Sequence, residues 1–149
     1  MTAEFVFSDV PADARAISGI RHALVGWLGI TEFDDTRVAD ISLAVYEAMA
    51  NTVEHAYSHT AAAGTLTLRA GYSSVERALQ VVVLDHGRWQ EDTSDRLRGN
   101  GIPLMSALCD DVSVDHTDAG TSVLMHWLVD RNPGHYLPPL YPVESLRVS

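Results

Sequence analysis

Four short stretches bring together residue types that can handle a ligand. Glu47, Asn51 and His55 fall at i, i+4 and i+8, so on a helix each sits roughly 40° further round than the last. An acid, an amide and an imidazole in one stripe could serve a ligand, and the same spacing also suits a solvated helix face. Asp85-His86-Gly87 follows an apolar run. A carboxylate at the end of a central strand can accept a hydrogen bond from the exocyclic amine of a base, and a glycine two residues on permits close backbone approach; an ordinary turn has the same composition. Arg98-Gly99-Asn100-Gly101 leads into Ile102-Pro103-Leu104-Met105. Two glycines one residue apart at a helix start expose backbone N–H groups in a field that favours anions, and Arg98 with the nearby Arg96 adds positive charge; the plain alternative is a loop-to-helix junction. Gly120-Thr121 enters the last apolar stretch and alone implies only a hairpin.

These residues need a frame to position them. Residues 3–8 alternate weakly, as a short strand does. From Pro11 to about residue 28, Ala14, Ile17, Ile20, Ala23 or Leu24, and Trp27 recur at helical spacing, with Gly29 as a stop. Asp34 or Asp35 can cap a second helix whose apolar face is Val38, Ile41, Val45, Met49, Thr52 and Ala56, running to about Tyr57. That face leaves Glu47 nearly opposite the core, with Asn51 and His55 winding back toward its edge. Residues 65–70 alternate as a strand, 72–74 read as a turn, and 79–84 form the continuous apolar run of a strand buried on both faces. Residues 86–100 are too polar for a core and suit a mobile loop. A short helix over 102–108 tolerates Pro103 in its first turn. Two strands, around 112–114 and 121–129, are joined by a turn at 117–120.

From Arg131 onward Pro133, Pro138, Pro139 and Pro142 rule out a regular element. The chain therefore divides into a domain over 1–130 and a proline-rich tail over 131–149, packed on that domain or on a partner. Helices mostly before clustered strands indicate an α+β sandwich with helices on one face of a mixed sheet.

Bulk properties narrow the function. A chain of 149 residues with 46% hydrophobic residues can bury one core. No apolar run approaches the roughly 20 residues that cross a bilayer, and the start carries no secretion signal, so a cytoplasmic protein without a membrane partner is expected. The single cysteine, Cys109, has no intrachain disulfide partner. The net charge is −10 and every basic residue is arginine, which argues against a nucleic-acid surface. Without lysine, a phosphate loop ending in Gly-Lys-Ser/Thr is excluded.

In this order the four stretches resemble the boxes of the GHKL-type (Bergerat-fold) ATP-binding family, and most closely the bacterial anti-sigma factor serine kinases. Residues 44–57, with Glu47, Asn51 and His55, are similar to the helix box; Asp85-His86-Gly87-Arg88-Trp89 to the adenine box; residues 98–105 to the phosphate-lid box; and Gly120-Thr121 to the last box. The resemblance spans roughly residues 5–129. It implies a two-layer α/β sandwich with a mostly antiparallel sheet, and ATP with magnesium as cofactors. It implies Glu47 as the base that activates a substrate serine and Asn51 as the magnesium ligand. Asp85 would read adenine, Gly87 would admit the base, Arg98, Gly99 and Gly101 would hold the phosphates, and Thr121 would help hold the adenine. The implied partners are a sigma factor and an anti-anti-sigma factor, with a homodimer as candidate assembly. Position 89 departs from the common Asp-x-Gly-x-Gly form, and the tail lies outside the family pattern. Those two features support an alternative: a non-catalytic nucleotide-binding module that sequesters a partner.

Overall fold

The computed structural model describes residues 1–56, 64–86, 102–117 and 120–130. Residues 87–100 of the loop expected over 86–100, and the expected tail at 131–149, lie outside these, as does the side chain of His55.

The chain begins with strand β1 (Thr2–Pro11), longer than its weak alternation suggests. Phe5, Phe7 and Val10 face the core, and a register shift between Phe7 and Val10 keeps Val10 inward where Asp9 takes a positive φ of 50°. Pro11 belongs to this strand, so helix α1 starts later than expected, at Ala14, and runs to Leu28. Its cap is Asp13, whose carboxylate accepts the Ala16 N–H at 2.8 Å, a bond whose loss typically costs about 1 kcal/mol. Ile17, Ile20, Leu24 and Leu28 form its buried stripe.

Helix α2 (Asp35–Asn51) is capped by Asp34, which accepts the Arg37 N–H at 2.8 Å. Ile41, Ala44, Val45, Ala48 and Met49 are buried on it. The helix does not continue regularly to Tyr57: after Asn51 it becomes a π turn over Thr52–Ala56, the wider form often found at functional sites. Arg37 bridges from the start of α2 to Asp110 and to the Leu128 carbonyl, each at 3.0 Å, pinning the helix to the far side of the domain.

Strands β2 (Thr65–Ser73) and β3 (Ala78–Asp85) make a hairpin. The expected turn at 72–74 is displaced: Tyr72 and Ser73 remain in the strand and the turn occupies residues 74–77, with Arg77 at φ 52°. Burial explains the shift. Tyr72 is 1% exposed, and its hydroxyl donates to Glu32 at 3.1 Å, so the strand extends until that ring is covered. Helix α3 (Ile102–Leu108) precedes β4 (Asp111–Thr117) and β5 (Gly120–Leu128).

The sheet order is β1-β2-β3-β5-β4, and all four pairings are antiparallel. The mostly antiparallel sheet expected from the resemblance is therefore found, with no parallel pair among the described strands. β3, central and wholly buried, is the strand expected from its apolar run. Helix residues join Leu66, Leu68, Leu79, Val81, Val83, Met125 and Trp127 in one core, so the described helices cover a single face: a two-layer α+β sandwich. Among the described residues no helix is long and apolar enough to cross a membrane.

Two titratable groups carry testable consequences. Burial, and then the neighbouring Asp110 and Asp111 carboxylates, push the Cys109 thiol up to about 12. Since the thiolate is the nucleophile, Cys109 is expected to resist a thiol reagent at pH 7.5 in the native protein and to react fully in denaturant; native modification within minutes would contradict its placement. His126, on β5, has its pKa lowered by burial, which outweighs the opposing Asp111 carboxylate 3.7 Å away. The unfolded chain therefore binds this proton more readily. The stability this gives is complete above the ordinary histidine pKa of about 6.5 and is lost as pH falls through the lower folded value. The drop in Tm between pH 7.5 and 5.5 is expected to be a few degrees smaller in His126→Gln than in the parent; equal drops would remove His126 from the account.

Candidate functional site

The site forms where α2 ends over the ends of β3 and β5. Asp85 is the last residue of β3, and its register partner on β5 is Thr121. Thr121 in turn pairs with His116 on β4. Residues directly opposite in an antiparallel pair share one face with Cβ atoms about 5 Å apart, so Asp85 and Thr121 are neighbours although 36 positions separate them. Both point to the helix layer: Asp85 is 4% and Thr121 3% exposed.

A carboxylate this deep in the protein needs donors. Thr52, first residue of the π turn, donates its hydroxyl to Asp85 Oδ2 at 3.3 Å, and the same hydroxyl lies 3.4 Å from the Ala48 carbonyl. On the other side His116 Nδ1 and Thr121 Oγ1 are 3.1 Å apart. Asp85 and Thr121 are thus each oriented by a side chain that simple pattern reading misses. Thr52 was expected only as part of the apolar face, and its signal is being the one polar residue in it. His116 carries no local signal. It becomes visible only once the hairpin register is set, since pairing 117 with 120 puts 116 opposite 121.

Gly120 explains itself here. It sits at φ +143°, and a Cβ added there would lie 1.8 Å from the Asp85 carbonyl oxygen and 2.9 Å from the His86 Cα. No other residue permits this approach, so the glycine sets how tightly the two strand ends close beside Asp85.

Asn51, the last α-helical residue, is 8% exposed, and its Nδ2 is buried without a hydrogen-bond partner among the described residues. Such a group costs about 1–3 kcal/mol when left unmatched, which is tolerable where a ligand supplies the match. Glu47, one turn earlier, is half-buried rather than fully solvated on the face opposite the core, and among the described residues it forms no ion pair or hydrogen bond. The structure therefore pairs Asp85 with Thr121 and reaches them from α2 through Thr52, the chain neighbour of Asn51, with Glu47 a turn earlier on the same helix. Gly87, Arg98, Gly99 and Gly101 lie outside the described residues.

Comparison with known proteins identifies the family of the fold. The family model described as "Histidine kinase-like ATPase domain" matches residues 10–127. The chain is 30% identical over 145 residues to the serine-protein kinase RsbW of Bacillus licheniformis, covering 87% of this chain and 88% of that protein. It is 29% identical to the Bacillus subtilis protein of the same name, covering 89% and 91%. Among solved structures, the RsbU and RsbW domains of a Mycobacterium tuberculosis protein superpose with a TM-score of 0.69 at 23% identity, over 91% of this chain and 35% of that one. With the matched region running from the end of β1 through nearly all of β5 and including every described site residue, the chain belongs to the histidine kinase-like ATPase family, in the company of the RsbW serine-protein kinases.

Proposed function

We propose that this chain binds ATP with magnesium and acts as a protein serine/threonine kinase and anti-sigma factor, phosphorylating an anti-anti-sigma protein in a partner-switching system. The observation that carries the proposal is the buried Asp85–Thr121 pair, bonded from α2 by Thr52, whose chain neighbour Asn51 has a buried amide nitrogen unmatched among the described residues. A buried carboxylate next to a hydroxyl suits an exocyclic amine, and so an adenine. The names of the relatives support the kinase reading, and the sigma-factor and antagonist partners rest on the family resemblance.

Fit to the cofactors follows from the donor set. Among the described residues no three His, Cys, Asp or Glu side chains converge, so a divalent cation here would be held by the Asn51 amide oxygen and by the nucleotide's own phosphate oxygens. Magnesium suits that arrangement, because it prefers oxygen ligands and retains several waters. When bound, the ion supplies charge neutralisation for a transferring phosphoryl group. The remaining work falls to the chain. Asp85 and Thr121 fix the base, Gly87 lets it approach, and Arg98, Gly99 and Gly101 hold the phosphates. Glu47, without an ion-pair partner among the described residues, accepts the proton of the attacking serine hydroxyl.

Isothermal calorimetry tests the binding half. ATP should bind in the presence of magnesium, and Asn51→Ala should weaken magnesium-dependent binding at least tenfold while leaving weak metal-free binding in place. Absence of nucleotide uptake by the parent protein would overturn both cofactor and kinase assignments. A second reading, a regulatory module that sequesters its partner without phosphorylating it, is favoured by Trp89 in the adenine box. It requires partner binding indifferent to ATP and no phosphoserine by mass spectrometry.

A further inference from the structure

On the helix-facing side of the sheet, the cross-strand row Leu68, Val83, Val123 and Val114 is apolar from β2 to β4. The next row, at the end where α2 stops, begins with Leu66 and then turns polar, as Asp85, Thr121 and His116. Asp85 and Thr121 are buried and are the proposed contacts to the base. His116 stands one strand further out, exposed on the edge strand β4, and its place in the row gives it a different task.

The three side chains differ in what they can offer a ligand. As a carboxylate Asp85 only accepts hydrogen bonds, and Thr52 already donates one to it. A threonine hydroxyl can donate or accept, because its single proton rotates to suit its neighbours. Among the described residues the Thr121 side chain has one hydrogen-bond partner, His116, whose Nδ1 lies 3.1 Å from Oγ1. The histidine therefore decides which way the hydroxyl proton turns. With a proton on Nδ1, the ring donates to Oγ1 and the hydroxyl donates onward. With Nδ1 bare, the hydroxyl spends its proton on the ring and turns only lone pairs to the site. The chemistry of the base selects between these. The amino edge of adenine carries an N–H donor beside a ring-nitrogen acceptor, so its complement is an acceptor beside a donor. Asp85 supplies the acceptor, which leaves Thr121 to supply the donor. Guanine has the reverse order, a carbonyl oxygen beside an N–H. In the same pose it sets oxygen against carboxylate and N–H against a hydroxyl proton.

The geometry points to His116 as a positioning residue for base selection: held as its Nδ1–H tautomer, it donates to Thr121 and so fixes the Thr121 hydroxyl as a donor beside the Asp85 acceptor. This rests on the ATP reading above and adds to it a determinant of adenine over guanine that lies outside the pair in contact with the base.

Calorimetry on the full chain with ATP and with GTP, each with magnesium, tests the assignment. The parent protein should prefer ATP. His116→Phe keeps a ring on the exposed edge strand but offers no nitrogen, and it should lower that preference at least about threefold, the worth of one ordinary hydrogen bond. Thr121→Val should lower it as well. Adding His116→Phe to Thr121→Val should change it no further, because the histidine acts only through the hydroxyl. A parent that binds both nucleotides equally overturns the assignment and leaves the nucleotide-binding reading standing. So does a selectivity unchanged in His116→Phe, or one lowered equally with and without the Thr121 hydroxyl. Failure of the parent to take up either nucleotide overturns both. Nitrogen NMR of the histidine rings in the unaltered protein, with ATP at about pH 8, decides without relying on the folding of a variant, since ordinary histidine is neutral there. The His116 ring should carry its proton on Nδ1 and none on Nε2, and the opposite tautomer refutes the assignment.

Discussion

Glu47→Ala is expected to lower phosphoryl transfer to a serine substrate by about 10²–10⁴-fold, the usual contribution of a positioned general base, while ATP affinity changes less than about threefold. The reason for the split is geometric. Glu47 lies one helical turn before Asn51 and has no hydrogen-bond or ion-pair partner among the described residues, whereas in the proposed function the adenine-side contacts come from Asp85 and Thr121 on the sheet. Removing the carboxylate leaves those contacts, the cap of α2 and the core face of the helix untouched. Single-turnover transfer of the γ-phosphate with radiolabelled ATP reads the first effect, and calorimetry the second. Glu47→Gln, which keeps the shape and loses the basicity, should match the alanine variant in rate. Transfer undiminished in either variant would remove Glu47 from the chemistry and favour the non-catalytic reading, provided the parent protein transfers phosphate.

The second large effect is predicted for the smallest change, Gly120→Ala. A methyl there meets the Asp85 carbonyl oxygen at 1.8 Å, at a φ of +143° that L side chains rarely adopt. Neither partner can step aside cheaply. The oxygen belongs to the backbone of the central strand, and Gly120 opens β5, which pairs with both β3 and β4. Backbone strain of this kind costs about 1–3 kcal/mol, and displacement of the strand ends adds to it, so a total loss of about 2–4 kcal/mol is expected against a typical stability of about 5–15 kcal/mol. The displaced residues are Asp85 and Thr121, so nucleotide binding should fall even at temperatures where the variant remains folded. Chemical denaturation measures the first loss and calorimetry at low temperature the second. A variant as stable as the parent, with unaltered affinity, would show that the closure of β5 onto Asp85 is not as described.

The site was legible in part, and the division follows the range of the interactions. Glu47 and Asn51 share a stripe because four residues make about one helical turn, which is a local property. Asp85 is marked by position, at the end of an apolar strand interrupted only by Gln80. The glycine in Gly120-Thr121 was visible as a motif, but its necessity was not, since the atom that excludes a side chain lies 35 positions earlier in the chain. Thr52 looked like one more member of a buried face until the fold put Asp85 beside it.

What the sequence determined by itself is therefore the set of elements and the faces they bury. Asp13 and Asp34 cap their own helices, apolar spacing orients α1 and α2, and the run over β3 declares a central strand. These depend on neighbours a few residues apart. Only the tertiary structure decided that β5 inserts between β3 and β4, which aligns Asp85, Thr121 and His116 in one row. It likewise decided where β2 ends, because Tyr72 must reach Glu32. Strand pairing and side-chain partnership across 30 or more residues depend on which surfaces meet. That is a property of the packed chain, and no local spacing encodes it.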